Sequence, residues 1–416
     1  MKIVWLCNMT PSAVNQSRGG GGGGLWLDHV LEDIRVQKDI TLRLFCPGGT
    51  ETGRVDKQVE YVLFTEGEAH VYSEQLEEQF YRELKAFQPD VIHIWGTEYG
   101  HTLAMVNAAQ RLGWKNRVAI SIQGLCSIYA RHYCEGVPEA VCYRYSLRDF
   151  LKRDNLLGQQ RRFTQRGKLE CKALEKAGHV IGRTDWDRAI TGQINPNRAY
   201  HFCNETLRQP FYEDTWQYAA CRKHRIFISS CAYAIKGFHY LLEAMPLVLA
   251  EFPDAEIAVT GDSFFKTSLP AKLRQDYYHR YLARLADQNK LGDRIRFLGA
   301  LSAPQMKQAF LDCNVFVLPS TIENSPNSLG EAMLLGVPCV AADVGGVSNM
   351  LHPGQGYVYQ STAPYMLAHY IAEVFRQQER AEEMGAQARL QALETHNPEK
   401  NMRDLLEIYR LIAEER

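Results

Sequence analysis

The chain has 416 residues, 45% hydrophobic and 23% charged, with a formal net charge of -1. That length exceeds one ordinary core and suits two domains of about 200 residues each. The near-neutral balance argues against nucleic-acid binding as the main task, which shows as a strongly basic domain.

Eleven cysteines run from Cys7 to Cys339, odd in number and with no Cys-x-x-Cys pair. Neither a disulfide framework nor a zinc site follows, so free thiols in a reducing cytoplasm are expected. The apolar run at 3–7 is too short for a secretion signal and is followed by a polar stretch over 8–18. No apolar run approaches the roughly 20 residues that span a bilayer. Membrane contact is therefore expected to be peripheral, at the inner face.

In chain order, residues 3–7 read as a buried strand, Gly19 to Gly24 as an uninterrupted glycine run, and the stretch from Leu25 as the start of a helix. Short apolar runs follow at 42–45, 91–95, 118–122 and 179–181, with helical patterns at 73–87 and 102–112 between them. A second series begins near residue 224. Strands are expected at 225–229, 256–260, 295–298, 315–318 and 339–342, with helices at 238–252, 269–287, 304–313 and 329–335. Such alternation argues for parallel sheets covered on both faces. The break lies between residues 205 and 222, where Gln209-Pro210 and a Tyr/Trp-rich stretch interrupt it. Residues 398–416 form an amphipathic helix with Met402, Leu405, Leu406, Ile408, Tyr409 and Ile412 on its apolar face.

The informative segment runs from Leu318 to Met333. It sets Glu323 on a loop after a strand and Glu331, eight positions on, over a helix that begins near Pro326. A proline suits a helix's first turn, and the first amides there are open to an anion or a sugar hydroxyl. The two carboxylates can thus address two ends of one ligand.

Here the chain resembles the retaining GT-B glycosyltransferases of family 4, whose signature is a glutamate, seven residues and a second glutamate. Also similar are Val315-Phe316-Val317-Leu318-Pro319-Ser320, Gly336-Val337-Pro338-Cys339-Val340, Gly345-Gly346-Val347, Phe297-Leu298-Gly299-Ala300, and Lys236-Gly237 opening the helix with Leu241-Leu242-Glu243-Ala244. The similarity is strong over 225–360 and thin before that. It implies an α/β protein of GT-B architecture, two Rossmann-like domains whose parallel sheets face a central cleft. Residues 1–210 would form the acceptor side and 211–397 the donor domain, with the 398–416 helix packing back toward the first.

The implied activity is transfer of a sugar from a nucleotide-diphosphate donor to a saccharide or lipid-linked saccharide. No cofactor or metal beyond the co-substrate is implied. Glu323 would face the donor sugar near its anomeric centre, Glu331 the ribose, and Lys236 the leaving diphosphate. Asn324, Ser325, Pro326, Asn327, Ser328 and Leu329 would line the donor. Gly23 and Gly24 would approach it from the glycine loop, although such a run also reads as a plain flexible loop. The family carries an arginine five or six residues before the lysine; here those positions are Cys231 and Ser230, and Arg225 lies within a strand.

In the family a histidine often follows the strand that here ends at Ser121-Ile122; this chain has Gln123. An amide can hydrogen-bond a sugar hydroxyl but does no proton transfer near neutral pH. That suits front-face attack, in which the departing phosphate oxygen takes the acceptor's proton. Glu98 and His101 follow the strand at 91–95 and are acceptor-side candidates, as is Arg183, or else they are ordinary loop residues. Asp185 and Asp187 form an Asp-x-Asp, which reads either as a metal motif or as the first turn of a helix capped by Thr184. Lys152, Arg153, Arg161, Arg162, Arg166, Lys168 and Lys172 form a basic stretch, either a solvated helix face or a contact for anionic lipid. Alternative readings are a nucleotide-sugar 2-epimerase of the same fold and a catalytically silent sugar-nucleotide binding subunit. A dehydrogenase is disfavoured, because the strand at 42–45 ends in Cys46-Pro47-Gly48-Gly49 rather than a carboxylate.

Overall fold

The computed structural model describes residues 1–19 and 26–415, and of Trp26 the backbone alone. The chain divides into two compact units. The first comprises Met1–Ala130, Arg162–Arg208 and His396–Arg416; the second comprises Arg131–Arg161 and Gln209–Thr395.

The first unit carries strands β1 (Lys2–Leu6), β2 (Thr41–Pro47), β3 (Thr52–Arg54), β4 (Val59–Phe64), β5 (Val91–Trp95), β6 (Val118–Ser121), β7 (His179–Gly182) and β8 (Ala199–Phe202). They form one sheet in the order β3-β4-β2-β1-β5-β6-β7-β8. Every neighbouring pair is parallel except β3 with β4. Alternate residues of β1 feed different cores. Ile3 and Trp5 pack with Leu31, Leu405 and Ile412 on one face, while Val4 and Leu6 pack with Phe80, Leu103 and Leu174 on the other. With both faces dry, the strand reads as a continuous apolar run.

The C-terminal helix Pro398–Glu414 belongs to this unit and is tied to its sheet by a buried polar chain. The Tyr409 hydroxyl accepts from Trp5 Nε1 at 2.9 Å and meets His93 Nδ1 at 2.5 Å; His93 Nε2 meets Ser121 Oγ at 2.7 Å. Burial drives the His93 pKa down to about 3, so the imidazole stays neutral and shares its two nitrogens between these hydroxyls.

The second unit carries β9 (Arg225–Ile228), β10 (Glu256–Val259), β11 (Ile295–Phe297), β12 (Val315–Leu318), β13 (Cys339–Ala342) and β14 (Tyr357–Tyr359). All are parallel, in the order β11-β10-β9-β12-β13-β14. Relabelled by appearance this is the 3-2-1-4-5-6 doubly wound order, and the core of the first sheet repeats it.

Three expectations need correction. Residues 131–161, expected in the first domain, belong to the second unit. There Thr321 Oγ1 donates to His132 O at 3.0 Å, His239 Nε2 meets Glu135 O at 3.1 Å, and the Tyr277 amide donates to Asp149 at 2.8 Å. The helix expected at 269–287 is two, Leu269–Leu273 and Tyr277–Gln288, because Asp276 caps the second by accepting from the His279 amide. Strands β3, β8 and β14 are too short or too polar to stand out; β4, a six-residue run apolar but for Glu60, was not anticipated either. No helix among the described residues is long and apolar enough to cross a membrane.

Tyr409→Phe removes the hydroxyl shared by Trp5 and His93. It is expected to lower the unfolding free energy by about 1–3 kcal/mol, the cost of stranding buried polar groups. Urea denaturation of the intact chain measures it.

Candidate active site

In a doubly wound sheet the crossovers on either side of the order reversal leave in opposite directions, opening a crevice at the strands' carboxyl ends. In the second unit the reversal lies between β9 and β12. The loop after β9 ends in a 3₁₀ turn, Ala234–Lys236, and Gly237 at φ 65° then starts the helix Phe238–Glu251. The loop after β12 lies directly against it. Thr321 N donates to Ile235 O at 2.8 Å, and a Cβ on Gly237 would fall 1.8 Å from Pro319 O. Glycine is therefore required there by both space and conformation.

This docking brings two of the expected residues together. Lys236 Nζ lies 2.7 Å from Glu323 Oε1, and Ser320 Oγ donates to the same oxygen at 2.8 Å. The Glu323 side chain is 8% exposed and that of Lys236 33%, so the ammonium is the partner open to solvent. The loop after β13 fixes the backbone of Glu323: Gly346 N donates to Glu323 O at 3.1 Å, and a Cβ on Gly345 would fall 1.7 Å from that oxygen.

The helix that follows is Asn327–Leu335, closed by Gly336 in the left-handed region. Pro326 is its N-cap rather than a first-turn residue, and its carbonyl accepts from the Leu329 and Gly330 amides. Asn327 and Ser328 are half-buried at the helix start. Asn324 and Glu331 are buried, and Ser325 Oγ donates toward Met350 Sδ at 3.4 Å. Leu329 is wholly buried, so its side chain belongs to the core and its backbone alone can serve a ligand. A nine-residue helix whose first turn carries no side-chain cap presents a positive end to an anion.

In the first unit the reversal lies between β1 and β5, and a second cluster sits there. Asn8, after β1, bridges two expected residues after β5: its Nδ2 donates to Glu98 Oε2 at 3.2 Å, and its Oδ1 lies 2.8 Å from His101 Nε2. His101 is buried and its pKa is driven down to about 3, so a neutral ring donates from Nε2 to Asn8. Burial, reinforced by the Glu170 charge, pushes the Glu98 carboxyl up to about 7. Arg166, from the basic stretch, donates to Glu98 O at 2.5 Å and lies over the Phe163 and Tyr99 rings. Glu170 is wholly buried and joins the loops after β5 and β6 by accepting from Thr97 Oγ1, Ser127 Oγ and the Cys126 and Ser127 amides.

Gln123 and Arg183 also meet. The Gln123 amide donates to Glu205 Oε1 in a short hydrogen bond. Arg183 pairs with Glu205 at 2.5 Å and donates to Ile122 O at 3.0 Å and Gln123 Oε1 at 3.4 Å. The cavity that Arg183 and Glu205 line measures about 30 Å³, room for a water or two and too small for a sugar. In this conformation Gln123 and Arg183 are bound to protein groups.

Asp187 is buried and closes a capping box with Thr184, also accepting from the Arg183 amide and, at 2.6 Å, from Tyr200 OH. Of the two readings of the Asp-x-Asp, the helix start is the one observed. Gly23 and Gly24 lie outside the described residues. Sequence reasoning missed Asn8, Ser320, Glu170 and Glu205. Position directly after β1 could have flagged Asn8, and Ser320 stands three residues before Glu323 in the segment already singled out; nothing local marks the other two.

Residues 214–391 match the family model described as glycosyl transferases group 1. Two solved structures align end to end. Sucrose-phosphate synthase from Thermosynechococcus elongatus has a TM-score of 0.71 at 16% identity over 100% of both chains. The Anabaena protein HepE, in complex with UDP-glucose, has a TM-score of 0.66 at 15% identity over 98% of this chain and 99% of that one. The fold is GT-B. The GDP-mannose-dependent monoacylated alpha-(1-6)-phosphatidylinositol monomannoside mannosyltransferase of Corynebacterium glutamicum is 28% identical over 161 residues, 37% of this chain and 38% of that protein. The matched stretch thus spans well under half of that relative's length.

Because its proton is held more tightly in the folded state, the Glu98 carboxyl contributes a penalty that is absent below the ordinary glutamate range and grows as pH rises to about 7. Glu98→Gln should stabilise the chain by on the order of 2 kcal/mol at about pH 8 and leave it nearly unchanged at about pH 4. Urea melts of both proteins at the two pH values test this.

Proposed function

We propose that this chain is a retaining glycosyltransferase that moves a sugar from a nucleotide-diphosphate donor to a hydroxyl of a saccharide or lipid-linked saccharide. The observation that carries this is the Lys236–Glu323 pair at the switch point of the second sheet, beside the start of the helix Asn327–Leu335. An ammonium one-third exposed and held by a single carboxylate oxygen can turn to a diphosphate at small cost. Glu323 then faces the sugar hydroxyls, and Glu331 takes the ribose. The backbone from Asn324 to Leu329 and the helix's first amides complete the donor site.

Breaking the bond from the anomeric carbon to the phosphate oxygen builds negative charge on the leaving diphosphate. Lys236 and the helix start stabilise that charge where it develops, with no metal needed. The acceptor hydroxyl attacks from the side the phosphate leaves, its proton passes to the departing phosphate oxygen, and configuration is retained. HepE's complex with UDP-glucose supports a nucleotide sugar as the donor class.

Turnover of a panel of nucleotide sugars, scored as nucleoside diphosphate released with and without acceptor and EDTA, tests the proposal. Acceptor-dependent, EDTA-resistant release from one donor is expected, falling about 100-fold or more in Glu323→Ala and roughly 10-fold or more in Lys236→Ala. Release that EDTA abolishes, or that needs no acceptor, would overturn it.

A further inference from the structure

Residues 143–153 form a surface whose polarity is inverted. Ser146 and Asp149 close a capping box on the short helix Leu147–Lys152, and the Asp149 carboxylate also accepts from the Tyr277 amide at 2.8 Å. Both cap residues are buried, Asp149 completely. Turning the helix over would pull this carboxylate off two amide donors, those of Ser146 and Tyr277, so its polar side is locked inward. The apolar side chains consequently face out: Leu147 is 50% exposed, Phe150 70% and Leu151 73%, with Tyr143 and Tyr145 exposed beside them in the chain.

The charges on the same stretch are one-sided. Arg144, Lys152 and Arg153 are exposed. The two carboxylates within 143–154 are both engaged, Asp149 in the cap and Asp154 with Arg148 at 2.9 Å. The outward face therefore offers bulky apolar groups and cations without an exposed acid. Two copies meeting through this face would set like charges against each other. A surface bearing phosphates above hydrocarbon satisfies both features at once.

We propose that residues 143–153 dock this protein on an anionic lipid surface. Leu147, Phe150 and Leu151 enter the boundary between headgroups and acyl chains, while Arg144 and Lys152 meet lipid phosphates. This goes beyond the transfer reaction and does not rest on it, since vesicle binding requires neither donor nor acceptor.

The test is cosedimentation of the full chain with vesicles of phosphatidylcholine, alone or mixed with phosphatidylglycerol. Binding to the mixed vesicles that weakens with added salt is expected. Phe150→Ser with Leu151→Ser should reduce it roughly 10-fold or more, and Arg144→Glu with Lys152→Glu by a similar factor. Because all four side chains point to solvent, both double variants should keep the wild-type thermal melt. Equal partition of wild type and variants, or no binding to the mixed vesicles, would overturn the proposal. So would a dimer in light scattering that the Phe150 and Leu151 changes dissolve, which would assign the face to a second copy.

Discussion

The reversal of strand order in each sheet is the constraint from which the rest follows. Where β9 neighbours β12, the chain leaves one strand for one face of the sheet and the other strand for the opposite face. A crevice opens at that point, so the loops there can hold polar groups that the sheet interior would reject. Lys236 and Glu323 occupy that gap in the second unit, and Asn8, Glu98 and His101 occupy the equivalent one between β1 and β5. Glycines at 237 and 345 let backbone carbonyls approach within distances that any side chain would block, which sets the loops after β9, β12 and β13 at bonding range.

The carboxylates of these loops and helix starts differ in how they are held. Glu170, Asp187 and Asp149 each accept from several donors, backbone amides among them, and so act as rivets between loops and helix starts. A carboxylate so held has few lone pairs left for a ligand. Glu323 differs: one of its oxygens takes both Ser320 and an exchangeable lysine. Glu98 differs again, bonded to an asparagine amide and pushed toward neutrality by burial. Counting donors therefore separates scaffold from candidate chemistry where sequence spacing does not. Asp187 makes the point, since a carboxylate in a metal-like Asp-x-Asp serves a helix cap.

The same reasoning explains the inverted helix at Leu147–Lys152. Hydrogen bonds to a buried carboxylate are directional, whereas burial of apolar area is not. When both act on one short helix, the capping box decides the rotation and the apolar residues go where it leaves them.

Much of the second unit was legible in the sequence. Strands buried on both faces are apolar throughout, as in Val315–Leu318 and Cys339–Ala342, and the helices between them follow a 3.6 period. The spacing of Glu323 and Glu331 around a strand end and a helix start was equally visible, because it depends on neighbours within one turn. The apolar stripe of the last helix was visible too. What the sequence could not supply were pairings set by long separation: Asn8 with Glu98, Gln123 with Glu205, Lys236 with Glu323, and residues 131–161 with the second unit. Those follow from strand order and from buried hydrogen bonds across the fold. Local periodicity fixed the elements because backbone bonding within a helix or strand is local; the tertiary structure alone fixed the sites, because a side chain's partner there lies tens to hundreds of residues away.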